Sequence, residues 1–408
     1  MLRFQHLLPR PLDADAFSRL PPLRPFAAET LGFIEALSGR LVRTPSFKAH
    51  PELVALGFWM RSANLARLRD SFEKSTANGL FQPRGTAFHI APSNVDSIFI
   101  YSWFLSMICG NKNIVRLSSR GSPQLDLLIG LLAELLGNDD WHAIAQRTLL
   151  VRYDHDAEIT SHFSGLCDVR VIWGGDATVS AIRRLPLPPT ACEVAFASKF
   201  SLALVHANGW NDATGNRQQD WLGKFFNDVY WFGQMACSSP RLVVWHGDRR
   251  AVESAQSGFW SGLSALAKER GTGFAPVDYV NKVVAGDLSA LRVPTVVLRN
   301  GEQNDIARIE VDRTHLRQLI DLDLHCGAGL FYETSVDTLE ELLPVLERRI
   351  QTVAYAGYDD PGQLRDFVSN HILRGIDRIV PFGQSLEFSS VWDGFDLLRV
   401  LLRQVTVS

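Results

Sequence analysis

Cys237 is the residue whose type and position most favour covalent chemistry. It lies between Gly233 and Pro240, after a predicted helix over about 217–235 and before a predicted strand over 241–245. Backbone N–H groups at a helix-to-strand turn stabilise a thiolate and an oxyanion, so the position suits a nucleophile. Position alone also fits a small buried apolar residue, which is the role of most free cysteines.

Two further segments follow predicted strands and present polar or backbone groups. Pro92-Ser93-Asn94 comes after a predicted strand over 86–90, and Gly174-Gly175-Asp176 comes after one over 168–173. Asn94 either caps the next helix or directs its amide at developing negative charge. Paired glycines at a helix start let a cofactor approach backbone N–H groups. The glycine pattern lacks a GxGxxG followed by an acidic residue, so it does not match the standard dinucleotide fingerprint.

Composition excludes several other kinds of site. The five cysteines have no CxxC spacing, which argues against a disulfide framework and a zinc ribbon and favours a reducing, cytoplasmic setting. The eleven histidines include no HExxH, so no metal site is predicted. Ser238 and Ser239 lie in no GxSxG elbow, which disfavours a serine hydrolase. A net charge of −3 does not suit a dedicated nucleic-acid binder.

The elements that must position these residues alternate along the chain. Strands and helices alternate from residue 86 onward, which predicts an α/β fold with doubly wound parallel sheets. The strands predicted for the first sheet are 86–90, 113–117, 148–153, 168–173 and, as the fifth, 200–205. The alternation continues with predicted strands at 241–245, 296–298, 330–333 and 378–380. For 408 residues we expect two or three domains. We predict an irregular arm over 1–27, helices over 28–77, and a first domain ending at residue 207. A second α/β domain is expected over 208–375 and a return segment over 376–408.

The ends and the most apolar stretch of the chain carry further expectations. The tail predicts a helix over Phe395–Leu402 and a final strand over Gln404–Ser408. The N-terminus has no apolar segment typical of a secretory signal. Ile98–Cys109 is the most apolar stretch and, at 12 residues, is too short to span a bilayer.

Six short motifs in one order resemble the LuxC-type acyl-CoA reductases, the fatty-acid reductase family of bacterial bioluminescence. That family is a divergent branch of the aldehyde dehydrogenase superfamily, and the resemblance covers about residues 50–408. The motifs are His89–Val95, Trp173–Asp176, Ser198–Ser201, Ala236–Arg241, Gly375–Gln384 and Val391–Gly394.

The resemblance implies a fold and a set of site residues. The fold is aldehyde-dehydrogenase-like, with a Rossmann-type cofactor domain, an α/β catalytic domain and a C-terminal oligomerisation strand that joins a partner subunit's sheet. Cys237 resembles the nucleophile, and Asn94 resembles the oxyanion-hole amide beside the Cys237 backbone N–H. The implied cofactor-binding residues are Arg116, Ser118, Ser119, Gly174 and Gly175.

Two departures from the superfamily pattern refine the expected activity. Hydrolytic relatives carry a water-activating glutamate four residues before the lysine that matches Lys199; position 195 is alanine, and Glu193 is two residues earlier. Loss of that base suits an enzyme whose thioester intermediate must not be hydrolysed by water before it is reduced. Many NAD-using relatives carry glutamate where this chain has Ser119, and its absence beside Arg116 and Arg120 favours NADPH.

The resulting hypothesis is NADPH-dependent reduction of an acyl thioester to an aldehyde. The acyl group would come from CoA, a carrier protein or an acyl-transferring partner enzyme, and would form an S-acyl Cys237 and then a hemithioacetal. The alternatives are a CoA-acylating aldehyde dehydrogenase working in the oxidative direction and a scaffold subunit without activity. The expected assembly is a homo-oligomer through the C-terminal tail.

Overall fold

A computed structural model describes residues 4–8, 14–76, 79–91, 98–119, 121–300 and 304–407. The chain forms two compact units, Met1–Ser198 with Phe388–Ser408, and Lys199–Glu387. The chain therefore enters the second unit after Ser198, where we expected a boundary at residue 207, and returns to the first unit at Phe388, where we expected a boundary at residue 375.

The first part of the chain carries nine helices and seven strands among the residues described. The helices are α1 Ala14–Arg19, α2 Ala28–Arg43, α3 Pro51–Trp59, α4 Ser62–Ser75, α5 Ile98–Ile108, α6 Pro123–Gly137, α7 His142–Ala145, α8 Ala157–Gly165 and α9 Asp176–Arg183. The strands are β1 Gln5–His6, β2 Leu80–Pro83, β3 Thr86–Ile90, β4 Lys112–Leu117, β5 Thr148–Arg152, β6 Val169–Trp173 and β7 Cys192–Phe196. Two 3₁₀ turns, Pro45–Ala49 and Asp139–Trp141, complete this part.

Six of these strands form one sheet in the order β1-β5-β4-β3-β6-β7. Strands β3 to β7 are parallel, and β1 pairs antiparallel with β5 at the edge. Counted from β3, the parallel strands run 3-2-1-4-5, which is the Rossmann order. The predicted strands at β3, β4, β5 and β6 are confirmed, whereas the arm over 1–27 is partly regular because it supplies β1 and α1.

The central strands of this sheet are apolar because helices cover both of their faces. Every residue of β3, β4 and β6 is buried. Phe88, Ile114, Val151 and Ile172 share one core with Phe163 of α8. Continuous burial of this kind is typical of parallel strands and explains why they were predictable from short apolar runs.

The second unit contributes six more helices and seven more strands. The helices are α10 Ala207–Asp212, α11 Gly215–Tyr230, α12 Arg249–Arg270, α13 Pro276–Arg292, α14 Arg313–Asp321 and α15 Gly362–Asn370, with a 3₁₀ turn at Leu339–Leu342. The strands are β8 Phe200–His206, β9 Pro240–His246, β10 Val297–Asn300, β11 Ala307–Glu310, β12 Leu330–Val336, β13 Ile350–Ala356 and β14 Arg378–Pro381.

These strands form a second sheet in the order β10-β11-β12-β9-β8-β13-β14, parallel except for β10. We expected the strand at Phe200–Val205 to be the fifth of the first sheet, and that expectation is wrong. The strand β8 lies between β9 and β13 in the second sheet. Its residues are apolar on both faces, so its sequence suits the centre of either parallel sheet and does not choose between them.

The final segment packs within the first unit. It contains β15 Val391–Trp392, β16 Phe395–Asp396, α16 Leu397–Val400 and β17 Leu402–Val405. The predicted helix over 395–402 is thus a single turn, capped by Asp396, and the final strand begins two residues early. Strand β17 pairs antiparallel with β2 of the same chain. Among the described residues, no helix is both long and apolar enough to cross a membrane.

Candidate active site

Cys237 lies in the loop between α11 and β9, as the sequence predicts. It is half-buried, three residues before the start of β9. Ser201 at the start of β8 is in register with Pro240, and Ile350 at the start of β13 is in register with Phe200. The thiol therefore lies at the amino edge of the second sheet, whereas ligands of open α/β sheets are expected at the carboxyl edge.

Buried polar side chains hold the Cys237 loop. Gln234 is fully buried at a φ of 63°, in the left-handed region that few side chains adopt. Its Nε2 donates to Pro240 O at 2.8 Å, and its Oε1 accepts the Gly329 N–H at 2.9 Å. Ser239 Oγ donates to Asp228 O at 2.8 Å. The loop conformation is thus fixed on both sides of the cysteine.

Gln351 contacts the sulfur of Cys237 and was not singled out by the sequence analysis. Its Nε2 lies 3.5 Å from Cys237 Sγ, and its side chain is fully buried. The two residues are 114 positions apart in the chain, and β13 was not among the predicted strands. The β-branched residues Ile350, Thr352 and Val353 could have predicted the strand, but no local pattern indicates the contact.

A positive charge also acts on the thiol. Arg241 is the second residue of β9, and burial lowers its pKa. A negative charge on Cys237 is the largest of the electrostatic effects that oppose this shift. An arginine keeps its charge in either case, so Arg241 favours the thiolate form of Cys237.

The other four cysteines have surroundings that disfavour a thiolate. Burial raises the pKa of Cys109, Cys192 and Cys326, and raises that of Cys167 to about 12. All five cysteines are free thiols. Cys237 is the candidate nucleophile by motif, and the Gln351 amide and the charge of Arg241 both act on its sulfur.

The predicted oxyanion donor Asn94 lies outside the described residues, as do its neighbours over 92–97. His89, on the strand that precedes them, is buried, and its ring nitrogens contact Ser102 Oγ and, at 3.1 Å, Asn113 Oδ1. Burial lowers the pKa of His89 to about 4. His89 is thus a neutral core residue.

The predicted cofactor residues all lie at the carboxyl edge of the first sheet. Arg116 ends β4 beside Ser118 and Ser119, and Gly174 and Gly175 follow β6. These strands flank β3, where the strand order reverses and open α/β sheets bind their ligands. That these residues bind a dinucleotide stays a prediction.

The groups at this edge fit a dinucleotide in part. Gly175 is the N-cap of α9 and has no side chain to cap it, while the Asp176 N–H donates to Ser198 Oγ at 3.4 Å. Asp176 turns its carboxylate to the Ser198 N–H at 3.0 Å. Ser119 is exposed and places no carboxylate at the end of β4.

Arg116 is less available than the sequence analysis expected. It is 7% exposed, and Nη2 donates to Tyr153 O at 3.1 Å. Its guanidinium lies over the Tyr153 ring at 5.3 Å. These contacts hold Arg116 against the end of β5, so a cofactor phosphate would have to share it.

Glu193 is engaged in ion pairs. It lies on β7, two residues before Ala195 and on the same face. Its carboxylate is 2.6 Å from Arg170 Nη2 and 2.7 Å from Arg183 Nε. These two arginines give Glu193 a structural role and make it a poor water-activating base. Within the described ranges, no cluster of His, Cys, Asp and Glu could hold a metal ion.

The fold has clear relatives among solved structures. Methylmalonate-semialdehyde dehydrogenase from Oceanimonas doudoroffii aligns with a TM-score of 0.67 at 13% identity, over 96% of this chain and 87% of that one. Glyceraldehyde-3-phosphate dehydrogenase from Methanocaldococcus jannaschii, complexed with NADP, aligns at 0.64 and 12% identity, over 96% and 91%. A 1-pyrroline-5-carboxylate dehydrogenase from Thermus with bound NAD aligns at 0.62 and 13%, over 96% and 83%. The aldehyde-dehydrogenase-like fold expected from the sequence is confirmed.

Sequence comparison adds a family match. A search of curated proteins gives no match. Residues 66–267 match the sequence profile of the acyl-CoA reductase (LuxC) family, and this range includes Cys237 and the whole candidate cofactor edge. Residues 66–267 are thus similar to the acyl-CoA reductase (LuxC) family, and this match together with the aldehyde-dehydrogenase-like fold supports an oxidoreductase that acts on aldehyde or acyl groups.

Proposed function

We propose that this protein reduces an acyl thioester to an aldehyde with NADPH, through an S-acyl Cys237. The observation that carries the proposal is the environment of the thiol. Cys237 is half-buried, with an amide donor 3.5 Å from its sulfur and the charge of Arg241 acting on it. The family match over residues 66–267 supplies the class of reaction.

The first half of the reaction is thioester exchange. The Cys237 thiolate attacks the carbonyl carbon of the acyl thioester, a tetrahedral oxyanion forms, and the donor leaves as a thiolate. One thioester replaces another, so this step is nearly thermoneutral and binding energy can serve positioning. The Cys237 backbone N–H and, as the family resemblance implies, the Asn94 amide would stabilise the oxyanion.

The second half reduces the acyl-enzyme. When bound, a reduced nicotinamide supplies the hydride for the thioester carbonyl. Hydride adds to the carbonyl carbon and a proton from solvent adds to the carbonyl oxygen, which gives a hemithioacetal on Cys237. The hemithioacetal then loses that proton as its C–S bond breaks, which releases the aldehyde and the Cys237 thiolate. Ala195 and the paired Glu193 offer no activated water, which protects the acyl-enzyme from hydrolysis.

NADPH is the proposed cofactor because the end of β4 carries no carboxylate. Ser119 is exposed, and Arg116 and Arg120 add positive charge to the same segment. A ribose 2′-phosphate is repelled by a carboxylate and attracted by guanidinium groups, so this segment favours NADPH over NADH.

The donor and the setting are further parts of the proposal. An acyl-CoA, an acyl-carrier protein or an acylated partner enzyme would supply the thioester. A catalytic free thiol suits a reducing compartment, and we propose the cytoplasm. The resemblance also implies a homo-oligomer formed through the C-terminal tail.

Mass spectrometry of the intact protein tests the central claim. After incubation with a series of acyl-CoAs without cofactor, we expect one acyl group per chain, and addition of NADPH should release it as aldehyde. The Cys237→Ser variant should take up no labile acyl group and should show no reductase turnover. The Cys192→Ser variant is the matched control, because Cys192 is also half-buried but its pKa is raised by burial.

Two results would contradict the proposal. Turnover of the Cys237→Ser variant at the wild-type rate would exclude the covalent path. Acylation of the wild type at Cys192 or Cys326 in place of Cys237 would show that the nucleophile is misassigned.

A further inference from the structure

Gln351 occupies an irregular point of the second sheet. The pairing of β13 with β8 shifts register between Ile350 and Val353, so Gln351 and Thr352 lie in a bulge. A bulge redirects side chains, and bulges are frequent beside active sites. Here the bulged segment carries the amide that contacts Cys237 Sγ at 3.5 Å.

The backbone around Gln351 is held on both sides. Gln351 O accepts the Asp377 N–H at 2.8 Å. The Thr352 N–H donates to Ser201 Oγ at 3.2 Å, and the same Ser201 Oγ donates to Cys237 O at 2.6 Å. The hydroxyl of Ser201 therefore links the backbone that carries Gln351, through Thr352, to the backbone of Cys237.

The orientation of the Gln351 amide follows from its second contact. Thr352 Oγ1 donates to Gln351 Oε1 at 3.3 Å, so the oxygen end of the amide is occupied by a donor. The NH₂ end then faces Cys237 Sγ. A neutral amide N–H stabilises a thiolate without transferring a proton to it, so the sulfur stays both charged and nucleophilic.

We infer that Gln351 is a positioning residue that donates a hydrogen bond to the Cys237 thiolate and holds it ready for acyl transfer. The inference rests on the proposed role of Cys237 as nucleophile. Arg241, on β9, is the charged group that acts on the same sulfur, with Asp323 and Arg349 acting in turn on Arg241. Gln351 also orients the sulfur, because a hydrogen bond is directional, whereas the charge of Arg241 attracts the thiolate without fixing its direction.

Two substitutions separate donation from packing. Gln351→Leu keeps nearly the same volume in a fully buried site but has no donor. Gln351→Glu has the same shape and places a carboxylate against the thiolate. We expect Cys237 to lose its proton less readily in Gln351→Leu than in the wild type, and least readily in Gln351→Glu.

The measurement is the rate at which iodoacetamide alkylates Cys237, resolved by peptide mass spectrometry from pH 6 to pH 10. The pH of half-maximal rate should rise in both variants, by about one unit or more for Gln351→Glu. Acyl transfer from acyl-CoA at pH 7 should slow about tenfold or more in parallel. Folding is checked by circular dichroism of the whole chain and by alkylation of buried Cys109 in the first unit, and both should match the wild type.

The outcomes distinguish this inference from the proposed function. An unchanged pH profile in both variants, with Cys109 still protected, would overturn the inference, and acylation of Cys237 in the same proteins would leave the proposed function intact. A shifted alkylation profile in proteins that no acyl-CoA acylates would support the role of Gln351 and contradict the proposed function. If Cys109 became reactive in the Leu variant alone, the profile of Gln351→Glu would decide.

Discussion

Ser201 Oγ donates a 2.6 Å hydrogen bond to the backbone carbonyl of Cys237, which joins the start of strand β8 to the Cys237 loop. The same oxygen accepts the Thr352 N–H, so one fully buried hydroxyl connects three segments of the amino edge. A hydroxyl serves here because it donates and accepts at once, which neither alanine nor valine can do.

Replacing Ser201 by alanine should therefore leave a buried N–H and a buried carbonyl without their partner. We expect a loss of about 1–3 kcal/mol in the free energy of unfolding and a lower kcat at nearly constant KM. Urea unfolding and steady-state kinetics measure the two effects. The control is Ser289→Ala, whose buried hydroxyl donates to Ala285 O within α13 and should affect stability alone. Equal kcat values in Ser201→Ala and the wild type would show that the loop holds without this bond.

Asn94 is expected to act on the oxyanion of the tetrahedral intermediate. The Asn94→Ala variant should lose about 10²–10³-fold in kcat, the usual effect of removing one oxyanion donor, with little change in Tm. Kinetics and thermal unfolding, measured on the same preparation, check this. If the loss of Tm accounts for the loss of activity, Asn94 is a helix cap and the oxyanion relies on backbone N–H groups.

Ser119 is the residue at which cofactor preference can be tested most cleanly, because it is exposed whereas Arg116 is buried against Tyr153. The wild type should favour NADPH over NADH by at least about tenfold in kcat/KM, which is ~1.4 kcal/mol. Ser119→Glu should reverse the preference by repelling the 2′-phosphate.

Gln146→Glu is the control for added charge, because Gln146 precedes β5 at the amino edge of the same sheet. It should leave the cofactor ratio unchanged. Equal use of NADPH and NADH by the wild type would remove the argument from Ser119.

Glu193 should affect the stability of the folded chain but not the ratio of aldehyde to free acid among the products. The Glu193→Gln variant breaks its pair with Arg170, which is 2% exposed, so we expect a loss of about 3–5 kcal/mol in the free energy of unfolding. The ratio of aldehyde to free acid, measured by chromatography, should not change.

The control for Glu193 is Glu134→Gln, which breaks an exposed pair with Arg40 and should cost less than about 1 kcal/mol. A fall in free acid in Glu193→Gln would instead identify Glu193 as the water-activating base.

Asp228 should make stability depend on pH. Burial raises its pKa to about 7, although its carboxylate accepts the N–H groups of Gly383 and Ser385. Between about pH 4 and pH 7 the folded chain therefore holds a proton that the unfolded chain has lost, so this contribution to stability falls as pH rises through that window. His89, with a pKa lowered to about 4, acts in the opposite direction, so only a comparison of variants isolates Asp228.

Urea unfolding of the wild type and of Asp228→Asn from pH 4 to pH 8 makes that comparison. The stability of the wild type relative to the variant should decrease as pH rises. Asp220→Asn, on the same helix but exposed and paired with Lys224, should show no such trend relative to the wild type. A constant difference between wild type and Asp228→Asn would mean that Asp228 keeps one protonation state across this range.

The local sequence determined the individual strands and the loop that carries Cys237, because these depend on residues that are near one another in the chain. The strands β3, β4, β6 and β9 were predictable because helices bury both of their faces, which leaves short apolar runs bounded by turns. The position of Cys237 between α11 and β9 was predictable for the same reason, and the order of the short motifs indicated the family.

Tertiary structure alone decided which sheet each strand joins and which side chains meet. β8 is apolar enough for either sheet, and its place between β9 and β13 depends on long-range pairing that no local period encodes. β17 pairs with β2, although Pro83 and its partner Leu402 are more than 300 positions apart in the chain. The approach of Gln351 to Cys237 depends on a bulge in β13 and on the hydroxyl of Ser201. Such contacts arise from packing across more than a hundred residues, and side-chain periodicity carries no information about them.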